Sequence, residues 1–295
     1  MASLKEIRIR IASVESTQKI TGAMKMVSAS KLRKAQTAIL NLRPYSNKLN
    51  EILGDLSTSA DCLDGMPLFK ARSIKRIALV VISSNRGLCG SFNTNVVKKV
   101  ETMLHEEYAE QVTTGNVQLY CIGKKAAEQL AKNHKVEWRD ETLPETSNFD
   151  EIAALGEKLM KDYIKGEIDC VKIVYNRFLN PATQELVAEA YLPVESLHTS
   201  KKEEQKKKLT DYIFEPSKEE ILTELIPKIL KLQLYKTLLD SVASEHGARM
   251  TAMHKATDNA IEILKDLRLK YNNARQSSIT NELIEIVSGA NALNS

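Results

Sequence analysis

Residues 7–42 read IRIRIASVESTQKITGAMKMVSASKLRKAQTAILNL, and their spacing decides the fold. Ile7, Ile11, Val14, Gln18, Thr21, Lys25, Ser28, Leu32, Ala35, Ile39 and Leu42 follow one another in alternating steps of four and three. That is a heptad seam, the pattern of a helix that buries one narrow stripe against another helix. Ser3 with Glu6 three residues later has the form of a capping box, and Pro44 stands where the strong pattern stops.

The far end of the chain repeats the spacing: Leu232, Tyr235, Leu239, Val242, His246, Met250, Met253, Thr257, Ala260, Leu264, Leu267, Tyr271, Ala274. Pro227 suits the first turn of that helix, or a kink after a shorter helix beginning near Ser217. Helix breakers are scarce: 11 Gly and 7 Pro in 295 residues, where ordinary usage gives roughly 35. Only Gly22, Pro44, Gly247 and Gly289 lie outside the stretch from Gly54 to Pro227. A helix from Pro227 to about Ala290 runs roughly 95 Å, against a radius of gyration of about 19 Å for a compact globule of this size. Such a helix needs a partner, and an intramolecular antiparallel coiled coil supplies one. Both seams turn small or polar midway, at Gln18, Thr21, Gly22 and Ala23 and at Ser244, His246, Gly247 and Ala248.

Between the helices the period changes. Ile77–Ser83, Val117–Ile122 and Cys170–Phe178 are short apolar runs that alternate with helical stretches at Thr94–Tyr108, Lys124–Asn133 and Asp150–Lys165. The alternation implies a small, doubly wound, mainly parallel sheet with flanking helices, to which Glu185–Leu192 adds an antiparallel strand. The expected class is therefore α/β plus a long antiparallel coiled coil. The expected division is 1–56 for the first helix, 57–215 for the α/β domain and 216–295 for the last helix. The charged run Lys201–Lys208 reads as a solvated loop.

Charge is segregated. Met1–Lys48 carries ten basic residues against Glu6 and Glu15, whereas Leu49–Pro227 carries 23 basic and 29 acidic residues. A basic helix on an acidic body points to an acidic partner, whether nucleic acid, a membrane surface or a protein face, or simply to a solvated helix face. Catalytic chemistry is hard to find. The loop SSNRGLCGSFN, Ser83–Asn93, follows the first strand as a phosphate loop would, yet contains neither GxGxxG nor GxxxxGK[ST], and reads as a tight turn with Cys89 packed inward. The five histidines have no metal-ligand spacing. Cys62, Cys89, Cys121 and Cys170 form no CxxC pair and read as buried, reduced thiols. No catalytic, cofactor or metal residues are assigned. The N-terminal MASLKEIRIRIASVES lacks an apolar signal-peptide core, and its acids do not suit a transit peptide, so a cytosolic chain is expected.

Three readings remain: a force-transmitting rod, a basic-helix nucleic-acid-binding coiled coil, and a doubly wound enzyme. The binder needs its basic helix free, although that helix carries a seam for the last helix. The enzyme lacks a site. The rod uses both the seam and the end of the last helix, where Ile279, Leu283, Ile286 and Val287 continue an apolar stripe beyond the reach of the first.

IRIRIASVESTQKITGAMKMVSASKLRKAQ, the SSNRGLCGSFN loop, SEHGARMTAMHKATDNA and YNNARQSSITNELIEIVSGANAL closely resemble the gamma subunit of bacterial F-type ATP synthases. The resemblance spans both terminal helices and the first strand, while residues from about 101 to 230 match in general pattern only. It implies a non-catalytic rotor shaft inside a ring of alpha and beta subunits, joined to the epsilon subunit and the c-subunit ring at the cytoplasmic face of the inner membrane. Ion-driven rotation of the c ring would turn the shaft and force each beta subunit in sequence through open, loose and tight nucleotide states. Neither a cofactor nor nucleic acid is implied. Carried over by motif, Arg275 and Gln276 match a pair that touches a loop of a beta subunit, with Thr280 and Glu282 on the same helix. Met24 and Lys25 fall in the stretch facing an acidic beta-subunit loop, where some members carry an acid in place of Lys25. The redox-regulated cysteine pair inserted in chloroplast members has no counterpart here.

Overall fold

A computed structural model describes residues 4–57, 66–194 and 217–293. Cys62, the Lys201–Lys208 run and the expected border at 215/216 lie outside the described residues. The elements run α1 (Leu4–Ser57), β1 (Ile77–Ile82), α2 (Phe92–Glu106), α3 (Ala109–Thr113), β2 (Val117–Ile122), α4 (Lys124–Leu130), β3 (Val136–Asp140), α5 (Leu143–Thr146), α6 (Phe149–Ile164), β4 (Cys170–Asn180), β5 (Thr183–Leu192) and α7 (Lys218–Leu293). The chain forms two compact units, Met1–Ala29 with Arg249–Ser295, and Ser30–Ala248. Their borders fall inside α1 and α7 rather than at helix ends.

In the smaller unit α1 and α7 pair antiparallel. The guanidinium of Arg8 donates to Tyr271 OH at 2.9 Å, that of Arg268 to Glu15 at 2.7 Å, and the Thr257 hydroxyl to that of Thr21 at 2.9 Å, so partner numbers fall as α1 advances. Between these polar contacts Ala260, Leu264 and Leu267 are buried, and Met253 is buried one turn beyond Thr257. The leucines supply most of the stability, since a buried Leu is worth about 1.5–3 kcal/mol and an exposed ion pair such as Arg268–Glu15 about 0.2–1 kcal/mol. Every seam position read from the sequence is buried or half-buried.

The larger unit is built on a five-stranded sheet of order β3-β2-β1-β4-β5, parallel except for the β4–β5 hairpin. Ile77, Leu79 and Val81 lie on one face with Val96, Val100, Met103 and Leu104 of α2 and Leu130 of α4. On α6 the spacing of Ile152, Leu155, Leu159 and Tyr163 makes one buried face, and Asn148 caps its start by accepting from the Asp150 amide at 3.1 Å. This helix meets α7: Gly156 leaves room for Leu234 and Lys231, and Phe149 packs edge-on against Tyr235 with ring centroids 5.4 Å apart.

Both terminal helices carry a proline within them, and their small residues serve different contacts. α1 runs through Pro44 to Ser57; the carbonyl left without an amide partner is that of Leu40, an exposed residue. Likewise α7 begins by Lys218, where the Ser217 hydroxyl accepts from the Glu220 amide, and carries Pro227 in its interior. The small residues midway along the two helices do not serve one close crossing. A side chain at Gly22 would meet nothing within 4 Å, whereas one at Gly247 would meet the carbonyl of Pro181 at 3.2 Å, and Ser244 donates to the Asn176 carbonyl. The small stretch of α7 therefore seats the β4–β5 hairpin.

Gly123, between β2 and α4, has φ +98°, and a Cβ there would lie 2.2 Å from the Ser83 carbonyl oxygen. Backbone conformation and space both demand glycine. Gly123→Ala is expected to destabilise the chain by about 3 kcal/mol or more, read as the shift in a urea melt; a loss under about 1 kcal/mol would show that the loop yields.

Candidate partner-contact sites

Doubly wound sheets hold ligands at strand C-termini beside helix N-termini, so the Ser83–Asn93 loop is the first place to seek chemistry. Its polar groups are consumed internally. Asn85 Oδ1, the Ser84 carbonyl and Ser83 Oγ accept from the amides of Lys124, Lys125 and Ala126, the first turn of α4. Asn93 Oδ1 accepts from the Ser84 amide, while Asn93 Nδ2 donates to Ser84 Oγ at 2.8 Å and Cys89 Sγ at 3.3 Å. Leu88 and Gly90 adopt left-handed φ values of 62° and 63°, which close the turn and leave Leu88 outside with Cys89 buried. The amides of the α4 first turn, which face this loop, are thereby occupied. The remaining described cysteines, Cys121 and Cys170, are likewise buried thiols outside any disulfide, and burial pushes the Cys121 thiol up to about 12.

On α1, Met24 and Lys25 are half-buried, and Lys25 Nζ lies 3.2 Å from His254 Nδ1 of α7. They belong to the seam side of the helix. The outward side of the same stretch carries Ile20, Met26 and Val27, at 57%, 70% and 57% exposure. Sequence reasoning passed over these residues because they lie off the seam. The signal was available, since three large apolar residues off a heptad seam have no partner within the coiled coil.

The end of α7 is the second bare surface. Arg8 sits beside Tyr271, and its hydrogen bond holds the phenol below its ordinary pKa. By this register α1, which begins at Leu4, reaches only to about Arg275. Arg275, Gln276, Thr280 and Glu282 are all exposed; Thr280 Oγ1 donates to the Gln276 carbonyl, and Ser278 Oγ to Glu282. Ile279, Leu283, Ile286 and Val287 are exposed as well, Ile286 by 67%. They do not prolong the seam. Seven-residue spacing carries it from Tyr271 and Ala274 to Ser278, Asn281 and Glu285, which are polar, while the apolar side chains lie nearly half a turn away, on the opposite side of the helix. Arg275 and Glu282 border that apolar face on one side, and Gln276 and Thr280 on the other.

The family model described as ATP synthase matches residues 3–293. The ATP synthase gamma chain of Christiangramia forsetii is 50% identical over 294 residues, covering 100% of both chains, and that of Cytophaga hutchinsonii is 48% identical with 100% of both covered. This chain belongs to the ATP synthase gamma chain family. Two solved structures share the fold of this gamma chain family member. A chain of the Euglena gracilis mitochondrial ATP synthase OSCP/F1/c-ring structure has TM-score 0.67 at 19% identity, covering 98% of this chain and 94% of that one. A chain of the Tetrahymena thermophila mitochondrial ATP synthase central stalk/c-ring structure has TM-score 0.60 at 23% identity, covering 80% and 99%.

Since the loop's Ser83, Ser84, Asn85 and Asn93 are bonded within the fold and the first-turn amides of α4 are occupied, the isolated chain is expected to bind no ATP at Ser83–Asn93 in equilibrium dialysis; a micromolar affinity abolished by Arg86→Ala would overturn this.

Proposed function

We propose that this gamma chain family member is the central rotor shaft of an F-type ATP synthase. It couples ion-driven rotation of a c-subunit ring to sequential changes in the catalytic beta subunits. One observation carries the reading: in a chain half identical over its whole length to named gamma chains, α7 outruns its partner helix and ends in an uncovered apolar face bordered by polar side chains. A face of this kind works only when other proteins surround it.

The chain's contribution is differential contact. A helix end with an apolar face, a charged border and a neutral polar border presents each of three equivalent beta subunits with a different surface, and the difference in contact free energy sets their nucleotide affinities. Arg275, Gln276, Thr280 and Glu282 are the polar contacts of that end, and Met24 and Lys25 meet an acidic beta-subunit loop further along. The middle residues, 57–215, form the body that joins the epsilon subunit and the c ring, with 1–56 and 216–295 as the shaft. Bond making belongs to the beta subunits, and the chain works as a non-catalytic subunit. No described helix is long and apolar enough to cross a membrane. Attachment through the c ring places the chain at the cytoplasmic face of a bacterial inner membrane. The nucleic-acid alternative has lost its support, because the seam of the basic helix is occupied by α7.

Two measurements test the reading. Purified from its own cells with its partners, the chain is expected to appear as one copy with three copies each of two larger ATPase subunits; recovery without them defeats the proposal. Truncation after Tyr271 is expected to weaken coupling or assembly while shifting the melt of the α/β body by less than about 3 °C, the equivalent of about 1 kcal/mol in a domain of this size. Equal loss of both would sink the separation of roles.

A further inference from the structure

A cleft of about 460 Å³ opens among α1, the β4–β5 hairpin and α7 within the larger unit, lined by Arg43, Arg177, Lys236, Glu189 and Asp240 among others. Two of these charges are already engaged. Glu189 accepts from Tyr175 OH and from Gln233 Nε2, both at 2.9 Å, and Arg177 lies 3.5 Å from Glu185. Asp240 differs. It is 8% exposed, and although Lys236, Arg177 and Arg43 act on its charge from α7, β4 and α1, none of them hydrogen-bonds to it. Burial holds its carboxyl above the ordinary range, so the three cations do not fully compensate its desolvation. Arg43 and Lys236 are exposed around the same cavity.

A buried carboxylate facing a cleft whose cations stand too far away to bond it has a definite complement. The ligand must bring negative charge to the cations and a neutral donor to the carboxylate. A fully deprotonated dianion answers the cations but is repelled by Asp240. The ammonium of a zwitterion answers Asp240 but has to sit among three positive charges. Hydrogen phosphate brings both parts in one compact group.

We propose that this cleft binds hydrogen phosphate, its P–OH donating to the Asp240 carboxylate and its other oxygens accepting from Arg43, Arg177 and Lys236. The remaining volume is filled by water or by whatever group the phosphate carries. Asp240 sets the selectivity, because sulfate has no proton to give and a phosphomonoester, with its second pKa near about 6, has lost its last proton at pH 7.5.

The test titrates the full chain at pH 7.5 with inorganic phosphate, sulfate, methyl phosphate and glycine by calorimetry. Phosphate is expected to bind at least about tenfold more tightly than sulfate or methyl phosphate, because a site built to accept a proton rejects analogues lacking one. Asp240→Asn should abolish that preference, since an amide donates to either anion. The exposed replacements Arg43→Gln and Lys236→Gln should each weaken phosphate by about tenfold, with thermal melts confirming a folded chain. Equal affinity for phosphate and sulfate, a preference that survives Asp240→Asn, binding of glycine in place of phosphate, or no phosphate binding would each overturn the assignment.

Discussion

An apolar seam on a long helix must be covered, and that requirement organises both ends of this chain. α1 and α7 each carry a stripe every three or four residues, and in the smaller unit each stripe is the other's cover. Burial of leucines supplies the free energy, while Arg8–Tyr271, Glu15–Arg268 and Thr21–Thr257 fix the register at small individual gain. In the larger unit Leu32, Ala35, Ile39 and Leu49 of α1 remain buried, and α7 additionally seats α6 and the β4–β5 hairpin. One helix thus follows two packing rules along its length: a heptad seam beyond Arg249, and a fully buried stretch from Thr237 to Gly247, where the β4–β5 hairpin also presses on it.

The α/β body has the topology of a ligand-binding fold, but at its strand ends the loop after β1 is bonded to the first turn of α4. Ser83, Ser84 and Asn85 spend their acceptors on the first turn of α4, and Gly123 lets the backbone approach the Ser83 carbonyl. The loop is a structural joint, and the fold alone says nothing of activity. What the body has instead is a charged cleft far along the chain from that loop, built by α1, the hairpin and α7 together.

Much of this was readable beforehand because it rests on periodicity. All eleven α1 seam positions are covered, and β1, β2, β4 and β5 lie where the apolar runs place them. β3 was missed because VEWRD has three charged residues in five and lies at a sheet edge, where one strand neighbour suffices. Pro44 and Pro227 stand inside helices because proline penalises a helix only locally, and packing on either side overrides the penalty. Tertiary purpose was least legible: Gly22 and Gly247 look alike in sequence, yet only Gly247 is pressed by another backbone. The candidate contact residues at the end of α7 are exposed, and the face on which the apolar ones stand was not legible.

That face limits how the helix end could ever be covered. A chain with a longer α1, wound onward in the same register, would meet Ser278, Asn281 and Glu285 and gain little, and Ile279, Leu283 and Ile286 would remain bare. Self-shielding by simple extension is closed to this sequence. The apolar terminus is kept available whatever the length of its neighbour, because its address on the helix surface is offset from the line along which the neighbour travels.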